Sequence, residues 1–357
     1  MKILVVNAGS SSLKCWYDDL RQDALDAAPP QSLWSTHVDW NEKTDIAAIF
    51  ESMLKSLPGA VDVVGHRIVH GGRFRAGAIL TPEVRAAIAE ETVIAPAHNR
   101  IALQAADILQ KHFGPKVTQI AVFDTAFHST LAPEAYTYPG PYSWYQAGIR
   151  RYGFHGISHG YASRRAAQLL GREPSGLRIV TCHLGSGASL AAVRAGKSID
   201  TTMGFTPLEG LMMGSRSGSV DPGILVYLLR EHHYTADQLD DILYKQSGLL
   251  GISGISADMR EILSAIDRGD SRARLAFDIY VHRLVREIGS MLAVLGGADA
   301  LVFTGGVGEN CAPLREKVTQ HLGFLPKLKV LVIHAEEEWE IARQCFELLQ
   351  PGATSEP

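Results

Sequence analysis

Two short stretches of this chain share one plan. Val5–Leu13 reads VVNAGSSSL and Val180–Leu190 reads VTCHLGSGASL. Each is an apolar strand, a tight Gly/Ser turn and a returning strand, and the two stand roughly half a chain apart. A unit repeated at that separation implies a duplicated α/β domain, each copy offering a small polar loop to a shared cleft. The length of 357 residues agrees with about two domains. Strands are expected at Ile3–Val6, Leu13–Tyr17, Val61–Val69, 117–123, Leu177–His183, Ser189–Arg194, Ala300–Thr304 and 328–333. Helices are expected over 43–57, 82–94, 98–113, 158–171, 223–232, 236–246, 257–268, 271–296, 312–322 and 336–349. Strands alternating with helices predict α/β layers. The Pro-, Gly- and Tyr-rich region 132–153 reads as a crossing between domains, and the Gly-rich stretch 204–223 as loop.

Composition removes several classes. A net charge of −4 is wrong for a strongly basic nucleic-acid binder. No apolar run reaches the ~18 residues of a membrane helix, and the chain opens on a strand rather than a signal peptide. Cys15, Cys182, Cys311 and Cys345 are widely spaced without a C-x-x-C, which predicts buried free thiols in a reduced, cytoplasmic protein.

The polar loops suggest an anion. Gly and Ser in a tight turn let backbone N–H groups approach a ligand, and Lys14 adds a point charge suited to phosphate. A third Gly-rich site, ALVFTGGVGEN at Ala300–Asn310, follows a strand and precedes a helix, again a place for an anion or nucleotide. Two decoys are set aside. Cys311 occupies the third glycine of a dinucleotide fingerprint, and AAVRAGKS lacks the leading glycine of a P-loop and turns into IDTT rather than a helix. The pairs His66/His70 and His155/His159 lack the Glu of H-E-x-x-H, so a zinc site is not expected at either. Strand alternation puts His66, Ile68 and His70 on one face and Arg67 and Val69 on the other.

Taken together, NAGSSSLK, HRIVHGG, FDTAFH, RRYGFHGISH, HLGSGAS, DTTMGFTPLEGLMMGSRSG and FTGGVGEN resemble the acetate/propionate kinase family, in the family's order, and VIHAEEEWEIAR extends the match. The resemblance implies two duplicated actin-like (ribonuclease H-like) domains with an interdomain active-site cleft. The first would cover 1–128 with a returning helix over 340–357, and the second 129–339. It implies reversible transfer of a phosphoryl group from ATP to acetate, with Mg²⁺ or Mn²⁺ as cofactor, by a homodimer. Asn7 and Glu337 would sit around the metal. Ser10, Ser12 and Lys14 would face the transferred phosphate. Arg67 and Arg216 would flank the acyl phosphate, with Asp124 and His155 beside them. Val69, Ala97, Phe154 and Pro207 would line the acyl pocket. His183, Leu184, Gly185, Ser186 and Gly187 would run along the nucleotide phosphates, and Asp258, Met259, Arg260, Gly306, Val307, Gly308, Glu309 and Asn310 would hold the nucleotide.

The chemistry suits those residue types. A carboxylate of pKa ~4–5 is ionised at neutral pH and needs no general base. It needs relief from repulsion as it approaches a polyanion, which arginines and a divalent metal supply. Asp124 would orient Arg67 or metal-bound water rather than act as nucleophile. The chain is shorter than such kinases usually are, and it departs from their pattern in places. PAHN stands for PLHN, so Ala97 replaces a pocket leucine and predicts better acceptance of propionate or butyrate. Ser186 in HLGSG replaces an asparagine. HAEEE replaces TNEE, leaving Glu336, Glu337 and Glu338 as metal candidates, with the EIAR register favouring Glu337. The alternatives are a sugar kinase of the same superfold and a non-catalytic nucleotide-binding regulator.

Overall fold

The computed structural model describes residues 1–9, 12–22, 25, 29–40, 44–93 and 96–350. They divide into two compact units, one of Met1–Ser129, His155–Tyr161 and the chain from Glu336, the other of Thr130–Phe154 and Ala162–Ala335. The expected first domain, 1–128 with 340–357, and the first unit differ at three points. The unit runs to Ser129, begins its C-terminal part at Glu336, and takes in His155–Tyr161.

The first unit is built on a six-stranded sheet: β1 (Lys2–Ala8), β2 (Ser12–Asp19), β3 (Trp34–Asp39), β4 (Val63–Ile68), β5 (Ala78–Ile79) and β6 (Thr118–Phe123), in the order β3-β2-β1-β4-β6-β5. β1 pairs antiparallel with β2, bringing Asn7 opposite Lys14, and parallel with β4, bringing Val6 opposite His66. β4 in turn pairs parallel with β6, Ile68 opposite Phe123. The continuous apolar run of β1 is the mark of a strand covered on both faces, and every residue from Ile3 to Ala8 is buried. Leu4, Val6, Phe50, Met53 and Leu109 share one core cluster, and Ile68, Ile88, Ala102 and Phe123 another. The final helix, Glu337–Leu348, crosses β4 at Gly65. A Cβ there would stand 2.7 Å from Cys345 Sγ and 3.0 Å from Ile341 Cγ2, so only glycine lets the helix approach. Trp339 meets Trp16 edge-on at 6.1 Å. The whole helix is thereby fixed on this sheet, which is why the unit boundary precedes it.

The second unit repeats the plan with β7 (Arg178–Leu184), β8 (Ala188–Arg194), β9 (Lys197–Thr201), β10 (Ala300–Thr304) and β11 (Lys329–Val332), ordered β11-β10-β7-β8-β9. β7, β8 and β9 form an antiparallel meander, as β1, β2 and β3 do, and β10 and β11 add in parallel beyond β7, as β4 and β6 do beyond β1. Apart from β5, an antiparallel edge strand of the first sheet, the two sheets thus share one strand order, the duplication expected from the two Gly/Ser turns. The helix Ser271–Leu295 covers this sheet. Asp270 caps its start by accepting from Ala273 N at 2.8 Å, its buried residues recur at three- and four-residue steps, and left-handed Gly296 ends it. The GKS decoy is a hairpin: Ala195 (φ 52°) and Gly196 (φ 76°) turn β8 into β9, as a type I′ turn requires. Cys15, Cys182, Cys311 and Cys345 are all free and buried. Among the described residues no helix is long and apolar enough to cross a membrane.

Strands β3, β5 and β9 and the helices Gly248–Ser253 and Gly305–Asn310 were not expected from the sequence. β3 is half exposed along its length, so its alternation is mixed with polar side chains. Gly305–Asn310 holds three glycines and goes against helix propensity.

Candidate active site

In parallel α/β sheets, ligands bind beyond the carboxyl ends of the strands. In the first unit the carboxyl ends of β1, β4 and β6 carry Asn7, Arg67 and Asp124 respectively. Arg67 Nη2 donates to Asp124 Oδ2 at 2.7 Å, and Arg67 Nε reaches both carboxylate oxygens at 3.1 and 3.2 Å. Arg67 Nη1 donates to Asn7 Oδ1 at 3.2 Å and lies 3.4 Å from Glu337 Oε2. Asn7 Nδ2 donates to Glu338 Oε1 at 2.8 Å and to Glu337 Oε2 at 3.3 Å. Both glutamates stand in the first turn of the last helix, where its dipole favours negative charge. Burial alone would lower the Arg67 pKa; the charges of Asp124 and Glu337 outweigh it and hold the guanidinium above the ordinary arginine range. Burial pushes the Asp124 carboxyl up, and the Arg67 charge and hydrogen bonds oppose that rise. The bidentate fork is the geometry of an ionised pair.

His155 sits beside this group. Its φ of 56° is left-handed, a strain that non-glycine residues seldom accept. The next residue explains it. Gly156 N donates to Asp124 O at 2.8 Å, and a Cβ on Gly156 would stand 2.2 Å from that same oxygen. The helix Gly156–Leu170 therefore starts directly against the backbone of Asp124. Val69 is half-buried just beyond β4. Lys14 is exposed on β2, and the β1–β2 turn closes with Gly9 N donating to Ser12 O at 2.8 Å. Ser10 lies outside the described residues, as does the side chain of Ala97.

The second unit carries the remaining expected residues. The β7–β8 turn stands at the matching place in the second sheet and is one residue tighter: Gly185 N donates to Gly187 O at 2.9 Å, with Ser186 exposed at its tip and His183 half-buried at its base. Leu184 is buried, and a Cβ on Gly305 (φ 78°) would stand 2.8 Å from its carbonyl oxygen. Gly306 and Asn310 are exposed, Val307 is half-buried and Gly308 is buried. Glu309 turns inward: its Oε1 accepts from Gly305 N and Ala335 N, each at 2.9 Å, and its Oε2 lies 2.5 Å from His334 Nδ1. Its carboxylate closes the glycine turn from within, a role that gives the short helix the support its sequence denies it. Asp258 caps the helix Met259–Asp267 and grips Arg260 at 2.5 Å. The hydrogen bonds from Arg260 hold the Asp258 carboxyl below the usual range. Arg260 itself is exposed, and Met259 is buried.

Arg216 differs from Arg67. Its Nη1 donates to Pro207 O at 3.0 Å and lies 3.9 Å from Met213 Sδ, and its guanidinium stands 5.9 Å from the Tyr244 ring centre. No carboxylate pairs with it among the described residues. Burial consequently lowers its pKa, against a smaller upward pull from Tyr244. Such a cation is relieved by an arriving anion. Phe154 and Pro207 are buried in the same unit. Sequence reasoning left Glu338 open and gave no role to Tyr138, Arg151 or Glu209. The last two stand inside the quoted motifs RRYGFHGISH and TPLEG, where unassigned charged residues were the available signal.

A twice-repeated sheet of this order, with Gly/Ser hairpins and buried arginine at the strand ends, is that of the actin-like phosphotransferases. Residues 2–330 match the model of the acetokinase family, and the chain belongs to that family. It is 50% identical over 404 aligned residues to an acetate kinase of Gloeobacter violaceus, covering 98% of this chain and all of the relative. The aligned length exceeds this chain's 357 residues, so that relative carries segments this chain lacks. Among solved structures it is similar to Porphyromonas gingivalis acetate kinase (TM-score 0.87, 36% identity, 98% of this chain and 100% of that one). It is equally similar in shape to a propionate kinase from Francisella tularensis (TM-score 0.87, 34% identity, 96% and 98%).

Proposed function

We propose that this chain catalyses reversible, Mg²⁺-dependent phosphoryl transfer between ATP and acetate, giving acetyl phosphate and ADP by direct in-line attack. The observation that carries the reading is the buried Arg67–Asp124 fork with Asn7, Glu337 and Glu338 around it. An ionised acetate needs no base, and Asp124 has both oxygens taken by Arg67. Asp124 therefore orients the arginine and is not a nucleophile. Arg67 and Arg216 stabilise the charge that spreads over the transferred group, His155 adds a polar contact beside Asp124, and Ser10, Ser12 and Lys14 hold phosphate oxygens. Val69, Phe154 and Pro207 exclude water from the methyl group. His183–Gly187, Asp258–Arg260 and Gly306–Asn310 hold the nucleotide, Glu309 by shaping the loop.

The donor set fits a hard divalent cation. Among the described residues no group of three or more His, Cys, Asp or Glu is arranged to hold a metal. Mg²⁺ does not need one, because it binds through one or two carboxylates plus substrate phosphates. Glu337 and Glu338 would supply such oxygens, with Asn7 beside them turning its Nδ2 to both glutamates and its Oδ1 to Arg67, and a bound ion would neutralise phosphate charge; Mn²⁺ would suit the same carboxylates. The four buried thiols favour a cytoplasmic protein. A homodimer is supported by the helix Pro222–Glu231, which buries no residue and exposes Ile224, Val226, Tyr227 and Leu229.

A hydroxamate assay with ATP, Mg²⁺ and acetate tests the reading: acetyl hydroxamate is expected. No acyl hydroxamate from any two- to four-carbon acid would overturn it. Rapid-quench capture of a phosphorylated enzyme on the catalytic path would overturn the direct transfer alone.

A further inference from the structure

Arg216 has an unusual tether for an arginine. Among the described residues no carboxylate pairs with it, and its hydrogen bonds go to the Pro207 carbonyl at 3.0 Å and to Met213 Sδ at 3.9 Å. Two residues beyond Pro207, Glu209 anchors a network of hydrogen bonds. Glu209 Oε1 accepts from Arg151 Nη2 at 2.7 Å, and Glu209 Oε2 accepts a short hydrogen bond from Tyr138 Oη. The same Arg151 spends its other amino group on three successive carbonyls, those of Thr201, Thr202 and Met203, at 3.1, 3.0 and 2.9 Å. Tyr138 Oη in turn accepts from Phe205 N at 2.8 Å. Tyr152 N and Gly153 N both donate to Gly204 O, at 3.0 and 3.3 Å. A Cβ on Gly204 would stand 1.7 Å from Glu209 Oε2 and 2.1 Å from Tyr138 Oη, so the loop is wrapped tightly around that carboxylate.

The bonds of this brace converge on Thr201–Phe205 and Glu209, the two sides of Pro207. Arg151 and Glu209 are 17% and 33% exposed, so the pair is largely out of water, where a charge-assisted bond holds geometry best. A surface ion pair would have no reason to recruit three carbonyls, a tyrosine and an obligatory glycine.

We propose that Glu209, gripped by Arg151 and Tyr138, is a positioning residue for phosphoryl transfer that fixes the Pro207 carbonyl and, through it, the Arg216 guanidinium. The inference rests on the reading of Arg216 as an arginine that stabilises the transferred phosphoryl group. Electrostatic stabilisation of that kind depends on sub-ångström placement, and misplacement by about 1 Å costs on the order of 10²-fold in rate. The brace therefore acts on kcat and leaves nucleotide binding alone.

The test is a double-mutant cycle in the full-length protein, with kcat, KM for ATP and thermal midpoint measured for each variant. Glu209→Gln is expected to lower kcat about 10- to 100-fold, with KM for ATP within about twofold and the thermal midpoint within a few degrees of the parent. In an Arg216→Ala background the same change is expected to cost less than about twofold more, because the group it positions is gone. Tyr138→Phe removes a single hydroxyl and serves if Glu209→Gln does not fold; it is expected to show the same coupling to Arg216 with a smaller kcat loss. Parent kcat in the variant tested, or a loss that adds in full on top of Arg216→Ala, overturns the positioning role. Arg216→Ala at parent turnover overturns the reading beneath it instead, so the two failures are distinct.

Discussion

At the scale of single residues, two arginines in one enzyme are held by opposite means. Arg67 is surrounded by carboxylates that keep it charged, whereas among the described residues Arg216 meets only a carbonyl, a thioether and a ring face. Lysine at position 67 keeps the charge but not the fork. Arg67→Lys is expected to lower kcat on the order of 10³-fold, the scale of a lost transition-state arginine, with acyl phosphate formation as the readout. Gly156→Ala is expected to cost about 1–3 kcal/mol through overpacking. Its Cβ meets the Asp124 carbonyl at 2.2 Å, so kcat should fall with stability; parent kcat would show that Asp124 tolerates the shift. On the opposite face of β4, His66 is fully buried with Nε2 2.6 Å from Gln119 Oε1, and burial lowers its pKa to about 4. The folded protein thus holds a neutral imidazole where the unfolded chain takes up a proton near pH 6.5. The resulting stability is present above about pH 6.5 and is lost as pH falls through about 4, a contribution of about 3 kcal/mol. Urea unfolding between pH 7 and 4.5 measures it, and a slope equal to that of His66→Leu would refute the assignment.

Elements explain why such residues meet at all. β1, β4 and β6 are parallel neighbours, so their carboxyl ends share one edge and three side chains far apart in sequence come together there. The last helix brings Glu337 and Glu338 to that edge because Gly65 leaves room for Ile341 and Cys345. In the second unit, Gly305 does the equivalent for the helix Gly305–Asn310. Gly305→Ala must place an alanine at φ 78° and 2.8 Å from the Leu184 carbonyl. KM for ATP is expected to rise about tenfold or more, since a shift of ~1.4 kcal/mol suffices, while KM for acetate stays near the parent value. Equal increases in both would argue against a nucleotide role for this helix.

For the whole molecule, the exposed apolar helix Pro222–Glu231 predicts self-association. Sedimentation should give a dimer, and Ile224→Glu with Leu229→Glu should give monomers; an unchanged dimer would place the interface elsewhere. The sequence departure at Ala97 bears on substrate range. A pocket larger by a few carbons should bring kcat/KM for propionate close to that for acetate, since one methylene is worth about 1–3 kcal/mol. A steep fall from acetate to propionate would exclude that enlargement. Much of the plan was readable beforehand: the two Gly/Ser hairpins foretold two sheets of one order, and the quoted motifs contain Asn7, Arg67, Asp124, His155 and Arg216. The edge strands β3 and β9 were not readable, because half-exposed strands carry mixed polar patterns. The inward turn of Glu309 was equally hidden, since nothing local separates a carboxylate that meets a ligand from one that caps a neighbouring turn.

The sequence alone determined the repeated strand–turn–strand units, the buried β1 and the family to which the chain belongs, because periodicity and short motifs are local properties. Only the tertiary structure decided that Asn7 bridges Glu337 and Glu338, that Gly156 must be bare to meet Asp124, and that Arg151, Tyr138 and Glu209 close around Gly204. Those are contacts between residues distant along the chain, set by packing and by the need to satisfy buried polar groups, which no window of sequence contains.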